Sequence, residues 1–484
     1  MYSAYGLLIG NQWRPSSDGA ARAVFSPVTE EEIGSIPNAT DADLDAVLLA
    51  AERGFQTWRA MPAWDRAAIL RRTADLIRER ADDIAIIMST ETGKPLAEAR
   101  GETNAAADQF EWQGEEAKRV YGQIIPGRAQ DQRLSVIYQP VGVCLSLTAW
   151  NFPALLPSRK IAAALAAGCS IIARPASEAP GSCFAIVQAL LDAGVPEGVV
   201  NVITGDAARL STYLLASPIV RKVSLTGSVP VGKQILELAA RGVKRVSMEL
   251  GGHAPVIVHA DADPVMAARA VAAAKFRNCG QVCISPSRFF VHESIRPAFE
   301  TSFAQFAKDL TAGDGLQDGV TIGPMIRERA LQSALDLIED AKQKGASVLA
   351  GGQRPADLNK GHFLEPTVLA NVPDDARIMH DEPFAPIAPI TGFTDRDEVM
   401  VRANNVPFGL AGYIFTQDAA LAQWTAEGLA VGMIGINEVL LATAEAPFGG
   451  VKESGFGREG GSLGIMDYLE PKYIKHRLIM DKAL

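Results

Sequence analysis

The sequence predicts an α/β protein with two open parallel sheets, and two observations predict it. From Val141 onward, short apolar runs at 141–147, 170–173, 199–203 and 222–226 alternate with helical segments. Strands buried on both faces by crossover helices have this appearance. A second series follows Glu249, with strand patterns at 255–258, 289–291, 347–349, 413–415 and 433–437 and helical patterns at 294–310, 327–343 and 396–404. A chain of 484 residues and 51.5 kDa is long for one core and has room for two or three domains.

Taken in order, residues 66–88 place Ile69, Leu70, Thr73, Leu76, Ile77, Ile84, Ile87 and Met88 at helical spacing among charged residues, which predicts one amphipathic helix. Gly122, Pro126 and Gly127 then interrupt helical pattern before Leu134-Ser-Val-Ile-Tyr, so 121–138 is expected as an extended arm. The first strand series reads as a doubly wound dinucleotide-type unit. One of its helices, 183–193, stops at Gly194 with Pro196 just beyond. Near the end, Pro447-Phe-Gly-Gly and Ser454-Gly-Phe-Gly form a glycine-rich loop, and 468–476 is a further strand candidate.

Composition excludes several classes. A net charge of −10 lacks the basic face that a nucleic-acid partner requires. No apolar run reaches the roughly 18 residues of a membrane span, and Met1 to Gly10 has no signal-peptide pattern, so no membrane partner and a cytoplasmic location are expected. The five cysteines, Cys144, Cys169, Cys183, Cys279 and Cys283, are too dispersed for a disulfide framework and have no metal-ligand spacing, so no metal is expected.

Chemistry concentrates in two stretches, Met248-Glu-Leu-Gly-Gly-His and Phe276-Arg-Asn-Cys-Gly-Gln-Val-Cys. Cys283 follows polar, flexible residues, where a thiol can be exposed and attack a carbonyl. Its thiolate needs a base or positive potential at neutral pH. Cys279, four residues earlier, reads first as a packed small hydrophobe. Glu249 lies between apolar neighbours and a glycine pair, an unusual setting for a carboxylate without chemical work. His253 offers an alternative base, which would make Cys283 a cofactor-independent hydrolase nucleophile. Thr226-Gly227-Ser228 with Gly232 follows a strand and opens a helix, where free N–H groups accept phosphate, although the spacing is not the usual fingerprint. Asn151, at the end of the Val141 strand, could donate to an oxyanion.

Together these motifs resemble the aldehyde dehydrogenase superfamily. The likeness runs in order through Trp150-Asn-Phe-Pro, Arg174-Pro175, Leu225-Thr-Gly-Ser, Glu249-Leu-Gly-Gly, the Phe276 to Cys283 segment, Glu382-Pro-Phe and Pro447-Phe-Gly-Gly. Within the superfamily it looks closest to succinate-semialdehyde and 2-oxoglutarate-semialdehyde dehydrogenases, on Lys94-Pro-Leu-Ala-Glu-Ala-Arg, Glu249-Leu-Gly-Gly-His-Ala-Pro and Cys283-Ile-Ser-Pro. The resemblance implies a Rossmann-like cofactor domain over 1–120 and 140–250, a catalytic domain over 251–452, and a β-arm for oligomerisation over 121–139 and 466–484. It implies a homodimer or homotetramer.

The same resemblance implies that Cys283 adds to an aldehyde, that Asn151 and the Cys283 N–H hold the oxyanion, and that Glu249 serves as base for the thiol and later for water. Lys160 matches a lysine near the oxyanion and Glu459 an acid of a proton relay. Trp150, Arg174, Ser177, Gly205, Gly227, Ser228, Gly232, Glu382 and Phe384 fall at cofactor positions. Where relatives carry Lys-Pro-x-Glu, this chain has Arg174-Pro175-Ala176-Ser177. Loss of the carboxylate removes repulsion of a 2′-phosphate, so NADP or NAD is expected, with NADP favoured. Arg159 and Arg277 match arginines that hold a distal substrate carboxylate, which predicts a small carboxylated aldehyde. The usual third contact, a serine, is missing near Ala442-Thr443. The rivals are an uncharged aldehyde, transfer of the acyl group to coenzyme A, and the hydrolase using His253.

Overall fold

The computed structural model describes residues 1–479; the tail of the expected arm, 480–484, lies outside the described residues. An eight-stranded sheet carries the first strand series. Its parallel part runs Arg245–Glu249, Val220–Thr226, Val143–Leu147, Ser170–Arg174, Val200–Val202. The chain starts in the middle at Val143–Leu147, builds outward, then returns to lay Val220–Thr226 on the other side. That reversal is a topological switch point, and the crevice at the carboxyl ends of these two strands is where open α/β sheets bind ligands. Antiparallel strands close the edges, Leu7–Ile9 and Gln12–Arg14 at one and Gly455–Phe456 at the other.

A seven-stranded sheet carries the second series, in the order Ser347–Ala350, Thr367–Ala370, Ile387–Phe393, Pro286–His292, Ala254–Val258, Ala411–Phe415, Met433–Ile436. All neighbours are parallel except the edge pair Ser347–Ala350 with Thr367–Ala370. Val143–Leu147, Ala254–Val258 and Ala411–Phe415 are buried at every position, which explains why they read as unbroken apolar runs rather than alternating ones.

The expected arm is a third sheet. Leu469–Arg477 pairs antiparallel with Gln132–Pro140 from Leu469↔Pro140 to Arg477↔Gln132, and Gln123–Ile125 pairs on the far side. Ile124 is 90% exposed and Tyr473 57%, so the arm shows apolar surface to its surroundings. Among the described residues no helix is long and apolar enough to cross a membrane.

Two sequence expectations need correction. The single helix over 66–88 is two, Ala63–Glu79 and Ala81–Thr92, broken at Arg80 (φ −107°, ψ 17°), whose guanidinium pairs with Asp192 at 2.7 Å. Both halves pack on Leu96–Glu116 and on Gly181–Asp192. Apolar spacing survives a one-residue kink almost unchanged, so it cannot reveal one. Strands Thr367–Ala370 and Ile387–Phe393 have no counterpart among the expected strands, and in the second Pro389 and Gly392 argue against a central strand. Pro389 ends the register with Thr367–Ala370, opposite Leu369, and the ladder to Pro286–His292 runs only over Ile390 to Phe393, beyond the proline.

Candidate active site

The Cys283 loop begins where helix Pro264–Phe276 ends. Asn278, Cys279 and Gly280 follow with φ of 48°, 54° and 71°, three successive left-handed residues. Gly280 is required, since a Cβ there would sit 2.2 Å from the Ala385 carbonyl oxygen. A left-handed cysteine costs about 1–2 kcal/mol, and tertiary contacts hold it. Its buried sulfur lies 3.9 Å from Met325 Sδ, the Asn278 N–H donates to Glu98 at 2.8 Å, and the Asn278 amide donates to the carbonyls of Asn151 (3.0 Å) and Gln281 (3.2 Å). Cys279 is thus a packed residue, its thiol pushed up by burial.

Beyond this turn Cys283 enters a cleft of about 280 Å³ at the switch point, lined also by Trp150, Asn151, Glu249, Glu382 and Phe384, with Gly227 and Ser228 beside them. Burial, then the charge of Glu249, push the Cys283 thiol up to about 12, with Arg159 opposing. Glu249 ends strand Arg245–Glu249, is 4% exposed, and neither carboxyl oxygen has a hydrogen-bond partner. Burial and then Glu459 raise its pKa well above the carboxylate range, while Lys160 and Arg159 oppose. A bare buried carboxyl costs roughly 1–3 kcal/mol or more, and such groups cluster where chemistry occurs. The Pro447-Phe-Gly-Gly segment presses close to it, since a Cβ on Gly449 would come within 2.7 Å of Glu249 Oε1.

Lys160, fully buried on helix Leu155–Ala167, is ion-paired with Glu459. Two expected residues are therefore partners, and both act on Glu249. Asn151 turns one amide hydrogen to the Gln281 carbonyl at 3.1 Å. The amide carries a second donor for a ligand. His253 lies elsewhere: Nδ1 faces Ser287 Oγ at 2.8 Å and Nε2 the Ile378 carbonyl at 3.0 Å, and burial holds its pKa well down. With both nitrogens engaged away from the thiol, the hydrolase alternative loses its base.

The crevice residues fit a dinucleotide. Ser228 caps helix Val229–Ala240 without a side-chain capping bond, so the helix N-terminus is open to an anion. A Cβ on Gly227 would meet only ordinary contacts at 3.4 Å, so no protein neighbour demands glycine there. Glu382 accepts from the Gly252 N–H at 3.0 Å, and burial raises it to about 7. Phe384, at a strained φ of 43°, stands edge-on to Trp150 at 5.7 Å. Ser177 Oγ accepts from Arg174 at 3.2 Å and also from Arg22 at 3.3 Å. The buried Arg174 Nε has no partner, and the neighbouring Glu178 is committed to Arg327 at 3.2 Å. Gly205 and Gly232 have packing reasons instead: added Cβ atoms would meet Asn38 at 2.7 Å and Leu250 at 2.6 Å.

Arg159 and Arg277 do not line this cleft, yet both stand by it. Arg159 is 3% exposed, lies over the Phe448 ring at 4.1 Å, and has Nε and Nη2 buried without partners. Arg277 lies over the Phe152 ring at 5.0 Å. Sequence reasoning does not find Arg22, which strand Ala21–Phe25 brings from a distant part of the chain with no local signal. Nor does it find a role for Lys94, Glu98 and Glu102, although Glu98 and Glu102, four apart, are readable as one helix face, with Lys94 just before that helix.

The aldehyde dehydrogenase family model matches residues 13–474. The chain is 44% identical over 467 residues to the succinate-semialdehyde dehydrogenase [NADP(+)] GabD of Escherichia coli, covering 96% of each. It is 44% identical over 466 residues to the glutarate-semialdehyde dehydrogenase of Pseudomonas putida, again covering 96% of each. Among solved structures, an NADP-dependent enzyme of E. coli superposes with a TM-score of 0.96 at 44% identity, covering 98% of both chains. The thiol and bare carboxyl facing one crevice at the switch point of a doubly wound sheet, with these matches along nearly its whole length, place the chain in the aldehyde dehydrogenase family.

Proposed function

We propose that the chain oxidises a small aldehyde carrying a distal carboxylate to the corresponding acid, with NADP favoured over NAD. The observation that carries the substrate class is Arg159, a buried guanidinium with two unpartnered nitrogens close enough to Cys283 and Glu249 to act on both. Leaving such a cation unpaired is costly, and a carboxylate at the far end of the substrate would pair with it. Arg277 supplies a second, more accessible cation. The names of the semialdehyde-oxidising relatives agree with this class.

Chemically, Glu249 takes the Cys283 proton as sulfur bonds to the aldehyde carbon, giving a thiohemiacetal whose oxyanion is met by the second Asn151 N–H and the Cys283 backbone N–H. When bound, the nicotinamide supplies the hydride acceptor. Once Glu249 has passed the thiol proton on toward Glu459, which Lys160 holds by ion pairing, it deprotonates the water that cleaves the Cys283 thioester. Leaving one proton between thiol and carboxyl at rest avoids two adjacent buried anions, and its transfer from sulfur to the ionised Glu249 produces the nucleophile. With Glu249 poised for water, hydrolysis is favoured over transfer to coenzyme A.

The Arg22, Arg174 and Ser177 cluster is the site proposed for the 2′-phosphate, with Glu382 on the nicotinamide ribose and Phe384 and Trp150 beside the ring. Residues 1–120 and 140–250 form the cofactor domain and 251–452 the catalytic domain. The arm over 121–139 and 466–479 serves a homodimer or homotetramer, its exposed Ile124 and Tyr473 covered by another copy. The enzyme acts in the cytoplasm.

An aldehyde panel with either cofactor, following reduced nicotinamide, tests the reading; higher efficiency with uncharged aldehydes would overturn the substrate class. Arg277→Ala should raise the KM for a carboxylated aldehyde by about 10- to 100-fold, the loss of a charge-assisted hydrogen bond, and leave an uncharged one nearly unchanged. Arg22→Ala should weaken NADP binding about tenfold or more and NAD binding little, read by quenching of protein fluorescence on titration. Equal losses would remove Arg22 from the phosphate site.

A further inference from the structure

The carbonyl of Asn151 is held from outside the site. Lys94 Nζ donates to it at 2.8 Å and to Glu102 Oε2 at 2.5 Å, and both side chains are almost wholly buried. The other oxygen of Glu102 accepts the N–H groups of Ala154 (2.9 Å) and Leu155 (3.2 Å). These amides open helix Leu155–Ala167, which has no side-chain cap of its own. One turn earlier on helix Leu96–Glu116, Glu98 holds the Asn278 N–H, and the Asn278 amide donates to the same Asn151 carbonyl.

We propose that the buried Lys94–Glu102 pair is a positioning device for Asn151: it fixes the Asn151 peptide and the start of the following helix, and so aims the Asn151 amide at the oxyanion of the Cys283 adduct. The inference rests on the oxyanion reading of Asn151 given above. A low-dielectric pair with both carboxyl oxygens engaged makes a stiff support, and oxyanion donors lose effect when they are slightly misaimed. Neither Lys94 nor Glu102 lines the cleft. The same helix face also steadies the Cys283 loop through Glu98, so one element sets nucleophile and donor relative to each other.

A double-mutant cycle on the full-length enzyme tests this, reading the single-turnover rate of nicotinamide reduction under saturating cofactor. Asn151→Ala is expected to slow that step about 10²-fold, and Lys94→Met about 10- to 100-fold, with cofactor affinity by fluorescence quenching and Cys283 alkylation by iodoacetamide within twofold of wild type. In the Asn151→Ala background, Lys94→Met should add less than about twofold, because the two act through one group. Glu102→Gln, which keeps an acceptor for the helix amides, serves as the second variant should thermal melting show Lys94→Met unfolded. Multiplicative losses, or a wild-type rate in both single variants of the pair, would overturn the positioning role. An unimpaired Asn151→Ala enzyme would instead remove the oxyanion reading on which it rests.

Discussion

Replacing Cys283 by serine should lower steady aldehyde oxidation by at least about 10³-fold, the order seen when a covalent nucleophile is removed. Cofactor affinity should stay within about twofold. The serine keeps the size and position of the group, so the left-handed turn at Asn278 to Gly280 and the packing around it are undisturbed. What is lost is the nucleophile itself: an alcohol lies far further from ionisation than a thiol, and the same burial that lifts Cys283 to about 12 acts on it too. Steady-state nicotinamide reduction measures the loss and fluorescence titration the retained binding. Turnover within tenfold of wild type in the serine enzyme would sink the covalent mechanism.

Glu249→Gln should produce two effects of opposite sign. Turnover should fall about 10²- to 10⁴-fold, because the amide cannot accept the thiol proton or activate water. The Cys283 thiol should nevertheless ionise more easily, since the second-largest influence holding it up is the charge of Glu249. With that charge gone, the midpoint of alkylation against pH should move to lower pH. In the wild-type enzyme both groups are raised, so alkylation and turnover should climb from neutral into alkaline pH, with the alkylation midpoint above the roughly 8.5 of a free cysteine. A midpoint below that value in the wild-type enzyme would mean that Cys283 rests as a thiolate.

Much of this architecture is legible in the amino-acid sequence. Buried parallel strands leave continuous apolar runs, and the sheets follow from them. Gly280 and the 248–253 stretch mark places where backbone conformation or close approach restricts the residue, so the two halves of the thiol and carboxyl pair stand out locally. The kink at Arg80 and the strand through Pro389 are not legible, because periodicity tolerates one and turn chemistry argues against the other.

The sequence by itself determined the α/β architecture, the nucleophile and its base, since each depends on local pattern and on motifs contiguous in the chain. Only the tertiary structure decided how these groups are held and charged. It showed that Lys160 and Glu459 are one pair, that Glu249 is without hydrogen-bond partners, that Arg22 joins Arg174 on Ser177, and that Lys94 and Glu102 support Asn151. The physical reason is common to all four. Burial and Coulomb interactions depend on distance through space, and the residues that set them here come from elements far apart in the chain.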